Sequence, residues 1–392
     1  SFGATFAIGQ SVMGVKMDAR APNEIVNITK ILGDATKDMS NPIFDVTVPL
    51  PLFGGGMGPY DYIGTLEFNI RDDFSPSYIL GALWEPWDWL SLGLCYQSAI
   101  KSHMSGRYTW TYSEDWQKMV AWSGSTAVMQ IASMIFDLPY NVEAKQSGTV
   151  TANLEFPQIV NFGIKVTPIK RLSLLAELHW AEWSSIQEDN LRFDQKIQLL
   201  QMAKFMGYTE GDYNVKMTRK FKDTLNWGVG IEFQALDWLQ LRAGYENRTS
   251  STVDRYYDLL YALPTMDYYG AGMGIKWKSI DIDLALGYMK SRPHRIEAGS
   301  SSNMSSYVLG DGFNNPYRGL NFEEDMAVYL GSIKATMPLD LVLDPIFSLL
   351  PTSWGGPKDK KVVELKAPFD SSANMTNNMR YENKYYFIAD SD

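Results

Sequence analysis

The side chains able to do chemistry are few and scattered. The chain holds one cysteine, Cys95, and three histidines, His103, His179 and His294. A single cysteine can form neither an internal disulfide nor a cysteine zinc site. No histidine stands in a metal-ligand spacing such as H-E-x-x-H, so no metal is expected. Cys95 alternates with Gly93 and Gln97 and has no base nearby in sequence, which reads as a plain buried or cavity-lining thiol. The pairs Asp72-Asp73 and Glu323-Glu324-Asp325 could hold calcium, yet solvated loop charges are the simpler reading. "GGGMG" at Gly54–Gly58 lacks the Lys-Ser/Thr of a phosphate loop and reads as a flexible loop. Nothing assembles a triad. An enzyme is not expected, nor is a cofactor.

Bulk properties narrow the class. The 392 residues carry a net charge of −10, which argues against a nucleic-acid surface in the absence of a local basic patch. Apolar residues make up 45%, and aromatics reach 13%, with 12 Trp and 22 Tyr. No run approaches the roughly 18 apolar residues of a spanning helix, which leaves membrane strands open. The chain begins directly on a strand pattern, "SFGATFAIGQSVMGV", so Ser1 is not expected to start the natural precursor.

The elements that must position any site are strands. In "WGVGIEFQALDWLQLRAGYENR" (Trp227–Arg248), Trp227, Val229, Ile231 and Phe233 alternate with Gly228, Gly230, Glu232 and Gln234. After Asp237 the alternation resumes with Leu239, Leu241, Ala243 and Tyr245, so the stretch reads as a hairpin. The same plan recurs at Ser77–Lys101, Gln158–Trp183 and Tyr268–Arg292, with single strands at Phe2–Met17 and Met326–Pro338, about ten in all. Short turns alternate with long connections: Asp18–Asp61, Arg107–Ser147, Ser184–Lys222, Thr249–Asp267 and Pro293–Asp325. Long loops at one end and tight turns at the other are the plan of a transmembrane antiparallel up-and-down β-barrel. In that fold the apolar face meets lipid, and a midplane Arg or Lys facing lipid would cost about 2–4 kcal/mol. The face bearing Lys101, Lys165, Glu177, Glu232, Arg242 and many glycines is therefore expected to line the lumen. Trp84, Trp87, Trp89, Trp238 and Trp277 would form an aromatic girdle at the tight turns. A soluble β-sandwich with an ordinary apolar core is the alternative.

Three long connections hold helix-like apolar stretches: Pro22–Ala35, Asp115–Leu138 with Trp122, Met129, Ile131, Met134 and Phe136, and Lys196–Tyr208 with Leu199, Met202 and Phe205. Either they pack on one another, or their Met-rich surfaces form a capture groove above the barrel.

"YILGALWEPWDWLSLGLCYQSAIKSHMSG" (Tyr78–Gly106) resembles a strand–turn–strand segment of the FadL/TodX-type outer-membrane transporters of long-chain fatty acids and hydrophobic compounds. "LEFPQIVNFGIKVTPIKRLSLLAELHWAEWSS" (Leu154–Ser185) and the hairpin at Trp227–Arg248 are similar to later segments, so the likeness covers roughly residues 60–340. The resemblance implies a fourteen-stranded barrel, an N-terminal hatch, capture by apolar extracellular loops and release through a gap in the wall. By that pattern Phe2–Met17 would be the fifth strand, with the hatch and the first four strands lacking. Residues 1–338 are then the barrel, and residues 339–392 form a C-terminal extension where such barrels usually end. The function expected is passive uptake of fatty acids or other hydrophobic compounds by a monomer in the Gram-negative outer membrane. Its surroundings would be lipid and lipopolysaccharide. Arg242, Lys165 or Lys101 would pair with a substrate carboxylate. A display or binding barrel and a porin for polar solutes are the rivals.

Overall fold

The computed structural model describes residues 1–21, 23–41, 46–205, 207–259, 262–307 and 319–338; the extension at 339–392 lies outside the described residues. Period-two alternation becomes a single antiparallel sheet. Its strands are β1 (Phe2–Arg20), β2 (Tyr62–Trp87), β3 (Leu90–Gln97), β4 (Ile100–Tyr112), β5 (Lys145–Phe156), β6 (Ile159–Ile169) and β7 (Leu172–Ala181). They continue as β8 (Glu188–Phe193), β9 (Asn214–Thr218), β10 (Thr224–Leu236), β11 (Leu239–Arg248), β12 (Met266–Trp277) and β13 (Ile280–Ser291). A small separate hairpin, β14 (His294–Ile296) and β15 (Phe322–Glu324), precedes β16 (Ala327–Thr336).

The sheet contains fourteen hydrogen-bonded segments. Four successive pairs of them, β3/β4, β5/β6, β7/β8 and β9/β10, are single crossings interrupted partway, which leaves ten crossings in simple up-and-down order. β2 is long enough to pair with β3 over one half and β4 over the other. Two expected loops are shorter than the sequence indicates. In Arg107–Ser147, β4 runs on to Tyr112 and β5 starts at Lys145, and β8 and β9 fall inside Ser184–Lys222. Among the described residues, β1 pairs only with β2 and β16 only with β13, so both margins of the sheet are open.

Each interruption is a place where the chain changes step while its backbone stays hydrogen-bonded. Ser98 Oγ accepts from Tyr78 N at 3.0 Å where β3 gives way to β4. The Asp72 carboxylate accepts from the amides of Phe74 and His103 at 3.0 and 2.9 Å, and from the hydroxyls of Ser75 and Ser102. Side chains replace the ladder bonds that a bulge removes.

At this height the two faces of the sheet exchange character. Toward the tight turns the outer face is exposed and apolar: Phe6, Ile8, Tyr78, Leu80, Leu94, Phe162, Leu174, Leu241. Beyond it the same face is polar, with Lys16, Glu67, Asn69, Arg71, Arg107, Thr109 and Arg192. The opposite face is small or polar near the tight turns and becomes a packed apolar core higher up. That core joins Leu66, Phe68 and Ile70 of β2 to Met104, Tyr108 and Trp110 of β4, and to Val150 and Phe193. A large exposed apolar band is a surface for lipid. The five tryptophans edge it at the tight turns, each about half exposed, with Trp87 and Trp89 stacked at 5.3 Å. Tyr245, Tyr269, Tyr288 and Tyr329 stand in register across β11, β12, β13 and β16 at its other edge. From Tyr269 to Trp277 the band measures about 20 Å, at about 3.3 Å per residue and a tilt of about 40°.

Candidate passage and capture surface

The lumenal face of β10–β13 is floored by glycine. Gly228, Gly230, Gly244, Gly270, Gly272, Gly274 and Gly287 alternate there with a few large polar residues. Tyr268 lies flat over this floor, and a Cβ at Gly287 would stand 2.7 Å from its ring. The Arg248 guanidinium sits 5.4 Å from the same ring and is held by both oxygens of Glu246 at 3.0 Å. Arg242 bonds Glu232 at 3.0 Å and Asp283 at 2.7 Å, with Gln240 as a third partner. The lumenal guanidiniums are thus already neutralised by neighbouring carboxylates.

Of the three cations expected to meet a substrate carboxylate, Arg242 is lumenal but doubly paired. Lys165 is half-buried on the face that carries Gly163. Lys101 is misplaced by the sequence reading. It lies beyond the change of step, so it projects from the polar outer face, 70% exposed, and pairs with Glu155 at 3.8 Å. Strict alternation across Ser98–Ala99 put it inside; the irregular residues there turn it out.

Among the described residues, four helices cap the long-loop end: α1 (Asn23–Ala35), α2 (Glu114–Ser123), α3 (Ala127–Ile135) and α4 (Gln198–Phe205). Ser113 caps α2 by accepting from Trp116 N, and Thr126 caps α3 by accepting from Met129 N, both at 3.2 Å. The glycine run is a close crossing rather than a slack loop. A Cβ at Gly33 would stand 2.4 Å from Gly55, at Gly54 2.6 Å from Lys118 O, and at Gly56 2.1 Å from Thr29 O. Glycines at 33, 54 and 56 therefore let α1, the turn at Leu52–Gly55 and α2 meet backbone to backbone.

The apolar loop residues divide into two groups. Leu199 is buried in the upper core and Met202 packs against it. Trp122 is half-buried, donates to Pro49 O at 2.7 Å and meets the Phe53 ring at 4.9 Å. Met129 is half-buried, whereas Ile131, Met134 and Phe136 are 59%, 58% and 60% exposed. Phe205 ends α4. Ile28 and Ile31 of α1 are exposed too, and Thr126 Oγ1 donates to Thr47 O at 3.0 Å in the connection that follows α1.

Two polar clusters escaped the sequence reading. Lys196 and Lys204 clamp Asp137 at 2.8 and 3.1 Å and reach Asp212 at 3.3 and 3.6 Å, tying the end of α3 to α4. Buried Arg219 joins Asp189 at 2.6 Å and also Asp258, linking β8 and β9 to the connection after β11. Neither cluster has a sequence signature, because Asp137 is 59 residues from Lys196, and Asp189 and Asp258 are 30 and 39 residues from Arg219.

Residues 7–337 match the model of a family described as outer membrane protein transport protein (OMPP1/FadL/TodX). The chain belongs to that family. The sheet is accordingly part of the wall of an outer-membrane β-barrel. A Pseudomonas aeruginosa FadL homologue is 18% identical with a TM-score of 0.54, covering 85% of this chain and 62% of that one. The Pseudomonas putida toluene transporter TodX is 14% identical with a TM-score of 0.46, covering 86% and 65%. The chain spans less than two thirds of the length of either. No curated protein matches it in sequence.

Proposed function

We propose that the chain forms wall and mouth of a passive conduit for long-chain fatty acids or other hydrophobic compounds across the Gram-negative outer membrane. The observation that carries this reading is the exposed apolar strip on α3, at the mouth of a barrel whose lumen is floored with glycine. Ile131, Met134 and Phe136, with Met129 and Trp122 behind them, strip a hydrophobic molecule from water because its apolar area is buried on contact. Leu199 and Met202 belong to the supporting layer. Nothing in the sequence supplies an energy source, so flow follows the concentration gradient. The barrel acts as a monomer surrounded by lipid and lipopolysaccharide.

The paired state of Arg242 and Arg248 favours an uncharged cargo over a carboxylate, since Lys165 is the lumenal candidate without such a clamp among the described residues. Reconstitution in liposomes tests both points. Entry of a labelled alkylbenzene well above protein-free background, little changed in Lys165→Ala, is the expected result. Background rates for every hydrophobic compound would leave a display barrel instead, a reading favoured by the dense upper core under the mouth.

A further inference from the structure

The polar outer face above the lipid band contains a depression of about 400 Å³ over β1, β2 and β4. Gly14, Lys16, Glu67, Asn69, Arg107 and Thr109 line it. Two cross-strand rows supply them: Gly14, Asn69 and Arg107 in one, and Lys16, Glu67 and Thr109 in the next. A Cβ at Gly14 would meet nothing within 4 Å, so the hollow opens over that residue. Elsewhere on this face, Arg71 and Lys101 are bound to Asp73 and Glu155 at 3.4 and 3.8 Å. Lys16 and Arg107 have no ion-pair partner among the described residues.

Position and chemistry together select the occupant. Asn69 lies about 12 Å above Phe74, the last outward apolar residue of β2, at about 3.3 Å per residue and a tilt of about 40°. The interfacial layer of an ordinary phospholipid bilayer is only about 5–7 Å deep on each side, so a phospholipid headgroup stops short of the hollow. A larger anionic headgroup reaches it. Two free cations suit phosphate, and Arg107 can take it with two parallel bonds. A carboxylate, an amide and a hydroxyl beside them do not suit a bare phosphate; they suit sugar hydroxyls.

We propose that this depression binds the phosphorylated saccharide headgroup of lipopolysaccharide. Arg107 and Lys16 take phosphate, while Glu67, Asn69 and Thr109 take hydroxyls. The site rests on the outer-membrane orientation above, but not on what passes through the lumen. It would fix the height and rotation of the barrel in the outer leaflet on the β1–β4 side.

The test is retention of a defined lipid A–inner-core lipopolysaccharide by the detergent-purified chain, read by native mass spectrometry. Lys16→Ala/Arg107→Ala should bind about tenfold or more weakly, as expected for two basic residues near an anionic surface. Lys145→Ala/Arg192→Ala removes equal charge from the same face outside the hollow and should bind within about twofold of the unaltered chain. Melting temperature confirms that both variants fold, and Arg107→Lys should recover part of the binding. Equal losses in the two double variants would mean diffuse attraction and overturn the proposal. So would complete displacement by inorganic pyrophosphate, which would make the site one for free phosphate, or equal retention of phosphatidylglycerol. Uptake into liposomes free of lipopolysaccharide should be the same for all variants, so a failed site and a failed conduit give different results.

Discussion

Asp137 closes α3 with a φ of 53°, a left-handed conformation uncommon for a residue with a side chain, and there meets Lys196 and Lys204. The hydrogen bond from Lys196 is the main reason its carboxyl is lowered to about 2 from an ordinary 3.8. A carboxylate with a depressed folded pKa stabilises the folded form above its unfolded pKa and loses that contribution as pH falls through the folded value. The link between α3 and α4 should thus be intact from about pH 5 upward and fail between about pH 4 and pH 2. Spin labels at Gln130 and Gln201 should give one narrow distance at pH 6 and a broad distribution at pH 2. Asp137→Asn should be broad at both values. A narrow distance throughout would remove Asp137 as the tie. None of this was visible in the sequence, because Asp137 is 59 residues from Lys196 and no local pattern joins them.

Helices and strands carry the division between supporting and capturing residues. Leu199 is 4% exposed, so Leu199→Ala should destabilise the loop assembly by about 2–5 kcal/mol, the usual range for a buried leucine. The triple change Ile131→Ser, Met134→Ser and Phe136→Ser touches exposed positions. It should leave the melting temperature nearly unchanged while weakening binding of a fluorescent hydrophobic probe by at least about tenfold, since that factor needs only about 1.4 kcal/mol and fully burying even one such side chain is worth about 1.5–3 kcal/mol. If the Leu199 variant loses probe binding without loss of stability, the assignment of the two groups is reversed. The strands of the tight-turn hairpins were legible because each keeps period two for five or more residues, and the helices because their apolar residues outnumber what a loop needs. The steps at Asp72–Phe74, Ser98–Ala99 and Pro157–Gln158 were not. A bulge shifts parity without altering composition, so upper strands such as "SGRYTWTY" look like loop when their outer face is polar. Lys101 was lost to the same ambiguity.

On the scale of the whole molecule, the exchange of faces predicts where a charge is tolerated. Leu94→Arg and Leu241→Arg point into lipid and should each cost about 2–4 kcal/mol in a bilayer. Thr109→Arg lies on the same side of the sheet but above the band and should stay within about 0.5 kcal/mol. Val150→Arg, on the inner side at similar height, should abolish folding, because Val150 has no exposed surface. Uniform tolerance along the outer side would refute the change of face. The open margins at β1 and β16 carry a related demand, since bare backbone donors and acceptors are not stable in hydrocarbon. Each margin must meet another strand when the barrel sits in the membrane.

That one sheet hides oil from two different solvents means that no single denaturant acts on it evenly. Urea weakens burial against water, so it reaches the aromatic stack of Trp110, Tyr112 and Trp116 beneath the crown. The belt pressed against acyl chains is insulated from it. A liposome preparation titrated with urea would then melt from the top downward, leaving a floppy-headed but still inserted stump. The strength of the crown could accordingly be tuned by mutation without disturbing how the stump is anchored.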